Sequence, residues 1–183
     1  MMIFDPLDRN LADVQRWGIV RTIRKQSVAE HSYYVALWTE PLMRKLGVTD
    51  PERILAAVRY ALLHDKPEVV SGDVPSPLKQ RLPKGIIDDA CKSSMDIPKP
   101  PDDLTALVVK TLDLFEALTF IVEDEALGNT RLKDLYQTLR AKLMYSAVEL
   151  QSVAGMRSYG DWLPDMFSAA LNKIGGAIVD PFE

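Results

Sequence analysis

The chain has 183 residues, 47% apolar and 26% charged, a balance that suits one globular domain and excludes disorder over most of its length. Its net charge is −4 at pH 7; duplex-binding domains are usually basic, so a nucleic acid polymer is not expected as a partner. No apolar run approaches the roughly 18 residues of a membrane span, and the single cysteine, Cys91, excludes an internal disulfide framework and a thiolate zinc cluster.

Residues 1–6 lack the cationic flank and apolar stretch of a signal peptide, which predicts a cytoplasmic protein without a membrane partner. Glycine is sparse and strand-length alternation is missing, so helical periodicity predicts an all-α fold. Asp5-Pro6 pairs an N-cap with a first-turn proline and opens a short helix to about Gln15. Ser27-Val28-Ala29-Glu30 has the form of a capping box. Its helix is expected to run to about Leu46, kinked at Pro41. Asp50-Pro51 repeats the cap signal, and Ile54, Ala57, Val58, Ala61 and Leu62 form one apolar stripe after it. Pro67 disfavours helical geometry at Lys66, so this helix should break just after His64-Asp65. Residues 71–84 hold Gly72, Pro75, Pro77 and Pro83 and predict a binding loop. Residues 97–103, with Pro98, Pro100 and Pro101, predict a connector. Long helices are expected at about 103–126 and 131–153, and a short one from Asp161 to about Ile174. The helices beyond the connector are too few for a core of their own, so residues 1–183 are taken as one helical domain.

The chain has two histidines, His31 and His64, so any imidazole chemistry must use them. His64-Asp65 at a helix break offers a nitrogen and a carboxylate that can turn to one point; a surface accident is the plainer reading of such a dipeptide. His31 lies early in a capped helix that can pack against the first. Asp113 stands among Leu112, Leu114, Phe115, Ala117 and Leu118. It is either the polar edge of an amphipathic helix or a buried acid in need of a cation. Two histidines and two carboxylates would form a mixed nitrogen–oxygen site with open coordination positions, suited to activating water. Residues 15–29 carry Arg16, Arg21, Arg24 and Lys25 and no acid, and residues 76–85 carry Lys79, Arg81 and Lys84 and no acid. Such islands suit phosphate, or they are solvated loops. Trp17 alone reads as a packing aromatic as readily as a base platform. Arg21 and Arg24 serve equally as partners of acidic helices, and Glu30 is accounted for by its capping box.

The order His31, His64-Asp65, Asp113 resembles the metal signature of the HD superfamily of phosphohydrolases. Arg16-Trp17, Arg21 and Val28-Ala29-Glu30-His31-Ser32 are similar to the start of the bacterial 5′-deoxynucleotidases of the YfbR type. His64-Asp65-Lys66-Pro67-Glu68, then Ser71-Gly72-Asp73-Val74-Pro75-Ser76-Pro77-Leu78-Lys79, resemble that group's central motif. The resemblance covers about residues 12–120 and implies a single HD-domain helical bundle. It implies that His31, His64, Asp65 and Asp113 hold one divalent ion (Co, Mn, Fe, Ni, Zn or Mg), with a second when substrate is bound. It makes Glu68 the acid–base group and Asp73 a positioner of substrate and water. Arg16 and Lys79 would hold phosphate. Trp17 would pack on sugar and base, with Ile19, Val74, Pro75 and Ser76 lining the same pocket. The implied reaction is release of phosphate from a 2′-deoxynucleoside 5′-monophosphate by an oligomer, dimeric or larger. Leu143, Met144 and Val148 either serve an interface as apolar surplus or fill the domain core.

One departure bears on the substrate. Between Asp65 and Glu68 the relatives carry small residues, whereas this chain has Lys66-Pro67. With Arg81 and Lys84, Lys66 adds cations and makes a triphosphate credible, as in the compact phage dNTP triphosphohydrolases of the same superfamily. A catalytically inactive nucleotide-sensing HD module and a purely structural helical protein are the readings of other classes.

Overall fold

The structure is a computed structural model that describes residues 5–83, 85–156 and 160–179, the last four by backbone alone. Met1–Phe4 and Lys84, used above, lie outside the described residues. Among those described there is no strand; the β-type contact is an isolated bridge between Gln15 and Ser27. Asp5 caps a 3-10 helix, Pro6–Ala12, which stops short of the expected Gln15. Ser27 accepts from the Glu30 N–H at 3.1 Å and opens α1, Val28–Lys45. The other half of the expected capping box is replaced, because the Glu30 carboxylate turns to Arg24 at 3.0 Å. Helix α1 continues through Pro41; the carbonyl that loses its donor belongs to exposed Leu37, where water can serve it.

Asp50 caps α2, Pro51–Leu63. Its stripe buries Ile54, Ala57 and Ala61, while Leu62, expected inside, is 42% exposed. The predicted break at His64–Pro67 is present as turns, followed by α3, Glu68–Ser71. Gly72 ends α3 at φ 68°, a left-handed value that only glycine adopts without strain. The expected loop folds partly into α4, Ser76–Lys79, because Pro77 sits in the first turn, where no N–H is needed. Then come α5, Ile86–Cys91, and the irregular proline connector. Asp102 caps α6, Asp103–Ala126. A 3-10 turn at Thr130–Leu132 leads into α7, Lys133–Val153, and α8 runs Trp162–Val179, beyond the expected Ile174.

Helix α6 is the centre. It packs on α1, α7 and α8, and α1 packs on α2. Val108, Leu112, Leu118, Phe120 and Ile121 of α6 are essentially inaccessible, and Phe115 lies between Trp38 (5.0 Å) and Phe167 (4.9 Å). Of the residues open to an interface or a core role, Leu143 is fully buried in this core and Val148 is exposed. Helical periodicity alone does not say which apolar stripe a neighbouring helix covers. No helix among the described residues is long and apolar enough to cross a membrane.

The segment before α1 is tied to α6 by Asp124, a buried carboxylate. Its Oδ1 accepts the backbone N–H groups of Ile23 and Arg24, each at 2.9 Å, and its Oδ2 accepts from Asn129. Arg24 adds ion pairs to Glu30 and Glu123. Asp124→Ala removes the acceptor of two part-buried backbone donors and of Asn129, so it should cost about 2 kcal/mol, or roughly 6 °C in Tm for a domain of this size. A thermal melt checks this; an unchanged Tm would show that the clamp is not needed.

Candidate metal centre and cleft

His31 on α1 and His64 and Asp65 at the end of α2 each offer a ligand atom, and these atoms lie within 4.8 Å of one another. Asp113 comes in from α6, its Oδ1 3.2 Å from His31 Nε2. Asp65 Oδ2 is 3.6 Å from that nitrogen and 3.3 Å from His64 Nε2. The imidazoles are oriented from behind. His31 Nδ1 donates to Glu116 at 2.5 Å, and His64 Nδ1 donates to the Ala61 carbonyl at 2.8 Å. Among the described residues both Nε2 atoms are buried without a hydrogen-bond partner, and both face carboxylates. Two orphaned nitrogens and two carboxylates suit a divalent cation of mixed nitrogen–oxygen preference.

The electrostatics are those of a cation site. Burial and Arg16 oppose charge on His31, but the Asp113 carboxylate facing its Nε2 and the Glu116 carboxylate that accepts from its Nδ1 push its pKa up to about 9. Burial would raise the Asp113 carboxyl; His31, Arg16 and His64 instead hold it well below the usual carboxylate range. Glu68, buried on α3, is pushed up to about 8, first by burial and then by Asp65 and Asp73, against Lys79 and Arg16. Lys79 Nζ lies 4.0 Å from Glu68 Oε1. A carboxyl poised near neutral beside a cation site is fitted to exchange protons.

Both raised values have a consequence for the chelated protein. His31 contributes stability that is complete below about 6.5 and lost as pH rises through 9. Glu68 binds its proton more tightly folded than unfolded, so its contribution likewise falls as pH rises from about 4.5 through 8. Tm in chelator should therefore drop by roughly 10 °C or more between pH 6 and 9, and by less in Glu68→Gln. A Tm that rises over this range would contradict both assignments.

A cleft of about 410 Å³ shares Asp113 with the centre and is also lined by Arg16, Trp17, Ile19, Asp73, Pro75 and Ser76. Arg16 lies 3.5 Å from both Asp113 Oδ1 and Glu116 Oε2. Trp17 has φ 66°, an uncommon value outside glycine. It is held there by Asp73, whose Oδ2 accepts the Trp17 N–H at 3.0 Å, and by stacking on Phe120 with ring centroids 5.3 Å apart. Asp73 thus shapes the wall as well as facing the cleft. Val74 is half-buried in the segment leading to Pro75 but is not in the lining.

Lys66 departs from expectation. Its amine is buried and bridges Asp5 and Asp8 at 2.7 Å each, tying the 3-10 helix to the His64–Pro67 turn. Burial lowers its proton affinity, but these two acids more than restore it. It is a structural cation committed away from the cleft. Arg24 likewise serves the acidic helices. Sequence reasoning missed Glu116 and Gln26, both buried, and the α7 wall of Leu135, Thr138, Leu139 and Lys142. Glu116 had a signal: it stands one helical turn after Asp113 in the same apolar run.

Comparison with known proteins places this arrangement. The solved structure of the cyanophage S-2L HD phosphohydrolase (DatZ) bound to dA and one catalytic Zn2+ ion superposes with a TM-score of 0.64. Identity is 22%, over 94% of this chain and 99% of that one. The all-α bundle is therefore the HD-domain fold. Residues 4–93 match the family model described as 5′-deoxynucleotidase YfbR-like. A dATP triphosphohydrolase of Acinetobacter phage SH-Ab 15497 is 34% identical over 61% of this chain and 63% of its own length. The 5′-deoxynucleotidase PM0747 of Pasteurella multocida (strain Pm70) is 40% identical over 44% of this chain and 42% of its own. The chain has the HD-domain fold and, over residues 4–93, is similar to the YfbR-like 5′-deoxynucleotidases. It spans just under two thirds and about two fifths of the lengths of those two curated relatives.

Proposed function

We propose that the protein is a divalent-metal-dependent phosphohydrolase of 2′-deoxynucleotide 5′-phosphates. The observation that carries this is the convergence of His31, His64, Asp65 and Asp113, the last of which also lines a cleft with an aromatic and aliphatic wall. When bound, the ion supplies Lewis acidity toward water and phosphate oxygens. Arg16 is placed to stabilise phosphoryl charge from the cleft side and Lys79 from beside Glu68. Glu68 takes a proton from the attacking water and returns it to the leaving oxygen. Trp17, Ile19 and Pro75 offer the nucleoside an apolar face, and Asp73 keeps that face in place through the Trp17 backbone.

Our first reading is a 5′-deoxynucleotidase that releases phosphate from a dNMP. The loss of Lys66 to Asp5 and Asp8 removes one of the cations that argued for a longer phosphate chain. A dNTP triphosphohydrolase is the second reading, favoured by the phage relatives, one of them (Salmonella phage PMBT28) 45% identical over 87 residues, and by Lys142 on the cleft's α7 wall. Within this proposal the protein works in the cytoplasm as a dimer or larger oligomer.

Product analysis with Co²⁺ or Mn²⁺ tests it, with dAMP and dATP offered separately beside their ribose counterparts. Orthophosphate and deoxyadenosine from dAMP support the first reading, and tripolyphosphate from dATP the second. Binding without product from any deoxynucleotide would instead indicate a nucleotide-sensing module.

A further inference from the structure

Behind the metal centre lies a buried hydrogen-bond chain whose polarity is forced at every step. The Trp17 indole Nε1–H, which can only donate, gives its proton to Gln26 Oε1 at 3.0 Å. The Gln26 amide must then present Nε2 at its other end, and it donates to Glu116 Oε1 at 2.6 Å. Glu116 Oε2 accepts from His31 Nδ1 at 2.5 Å. Gln26 is 1% exposed, Glu116 2% and His31 0%, so water does not compete. The reversed Gln26 amide would set N–H against N–H at Trp17 and oxygen against carboxylate at Glu116. The Gln26 backbone joins in, its carbonyl accepting the Arg16 N–H at 2.9 Å.

We propose that Gln26 is a positioning residue that, locked by Trp17, orients Glu116 and through it fixes His31 with its proton on Nδ1 and its Nε2 lone pair toward the ion. This rests on the reading of His31 as a metal ligand. It makes the wall of the nucleoside cleft and the metal centre one hydrogen-bonded unit. A Trp17 change should therefore alter metal affinity although Trp17 is not one of the ligands. Partners at this remove typically tune metal affinity tenfold or more.

The test compares wild type, Gln26→Met, Trp17→Phe and the double variant. Mn²⁺ and Zn²⁺ affinities are read by calorimetry, and the imidazole ¹⁵N spectrum is read in the Zn²⁺ form, where two histidines give few signals. Gln26→Met keeps the volume and loses both hydrogen bonds; Trp17→Phe keeps an aromatic ring against Phe120 and loses the donor. We expect affinity to fall about tenfold in Gln26→Met and about threefold in Trp17→Phe. The double variant should be no worse than Gln26→Met, because both break one chain. The His31 Nδ1–H signal should shift in each variant while the His64 signals stay. Wild-type affinity and an unmoved His31 signal in folded Gln26→Met would overturn the proposal. If Gln26→Met does not fold, the same result in Trp17→Phe overturns it. A wild type that binds neither ion would instead refute the metal centre, and the proposal with it.

Discussion

Glu68→Gln is expected to keep its ion and lose its turnover. Glu68 is buried on α3, near Asp65 and Asp73, with Lys79 4.0 Å away. None of the four proposed ligand side chains is altered, so Mn²⁺ affinity measured by calorimetry should change by less than about threefold. The amide is close in volume to the carboxyl and carries no titratable proton, so general acid–base catalysis is lost. Such catalysis contributes on the order of 10²–10⁴ in rate, and kcat should fall by about 10³. Removing a desolvated carboxyl should also leave the fold at least as stable above pH 8, since the raised pKa of about 8 marks a carboxylate the protein disfavours. If kcat stays within tenfold of wild type, Glu68 is not the proton carrier.

His64→Ala should have the converse signature, with the ion lost and the fold kept. The side chain is largely buried, but its hydrogen bond among the described residues runs to the Ala61 carbonyl within the same helix end. Its Nε2 is buried without a partner. Deleting it leaves no buried charge unpaired, in contrast to deleting His31, which would strand Glu116 and Asp113. Chelated wild type and variant should melt within a few degrees of each other. Metal affinity should fall about a hundredfold or more and kcat/KM by about 10³, partly restored by high Mn²⁺. Undiminished metal binding would place the ion elsewhere.

Much of the centre was legible in the sequence because helix signals are local. Ser27 and Asp50 announce their caps within three residues, and Pro67 announces the break that turns His64-Asp65 inward. The motif positions 31, 64, 65 and 113 could be read as one set before any helix was packed. Charge, in contrast, misled. Lys66 sits in the motif and reads as a substrate cation, but its amine belongs to Asp5 and Asp8, about 60 positions earlier. An amine on a four-carbon stem serves whichever acids the fold brings within reach, and sequence spacing does not say which.

Sequence alone determined most element types, which depend on contacts within a turn or two, and named the candidate ligands and the acid–base candidate by their residue chemistry and their order in the chain. Tertiary structure decided what stands behind and across from them. It supplied Glu116 and Gln26 behind His31, the Asp73 grip on Trp17 at φ 66°, the Asp124 clamp and the α7 wall of the cleft. Those contacts join residues up to about 100 positions apart. Their partners are chosen by how α1, α2, α6 and α7 pack, and helical periodicity carries no record of that choice.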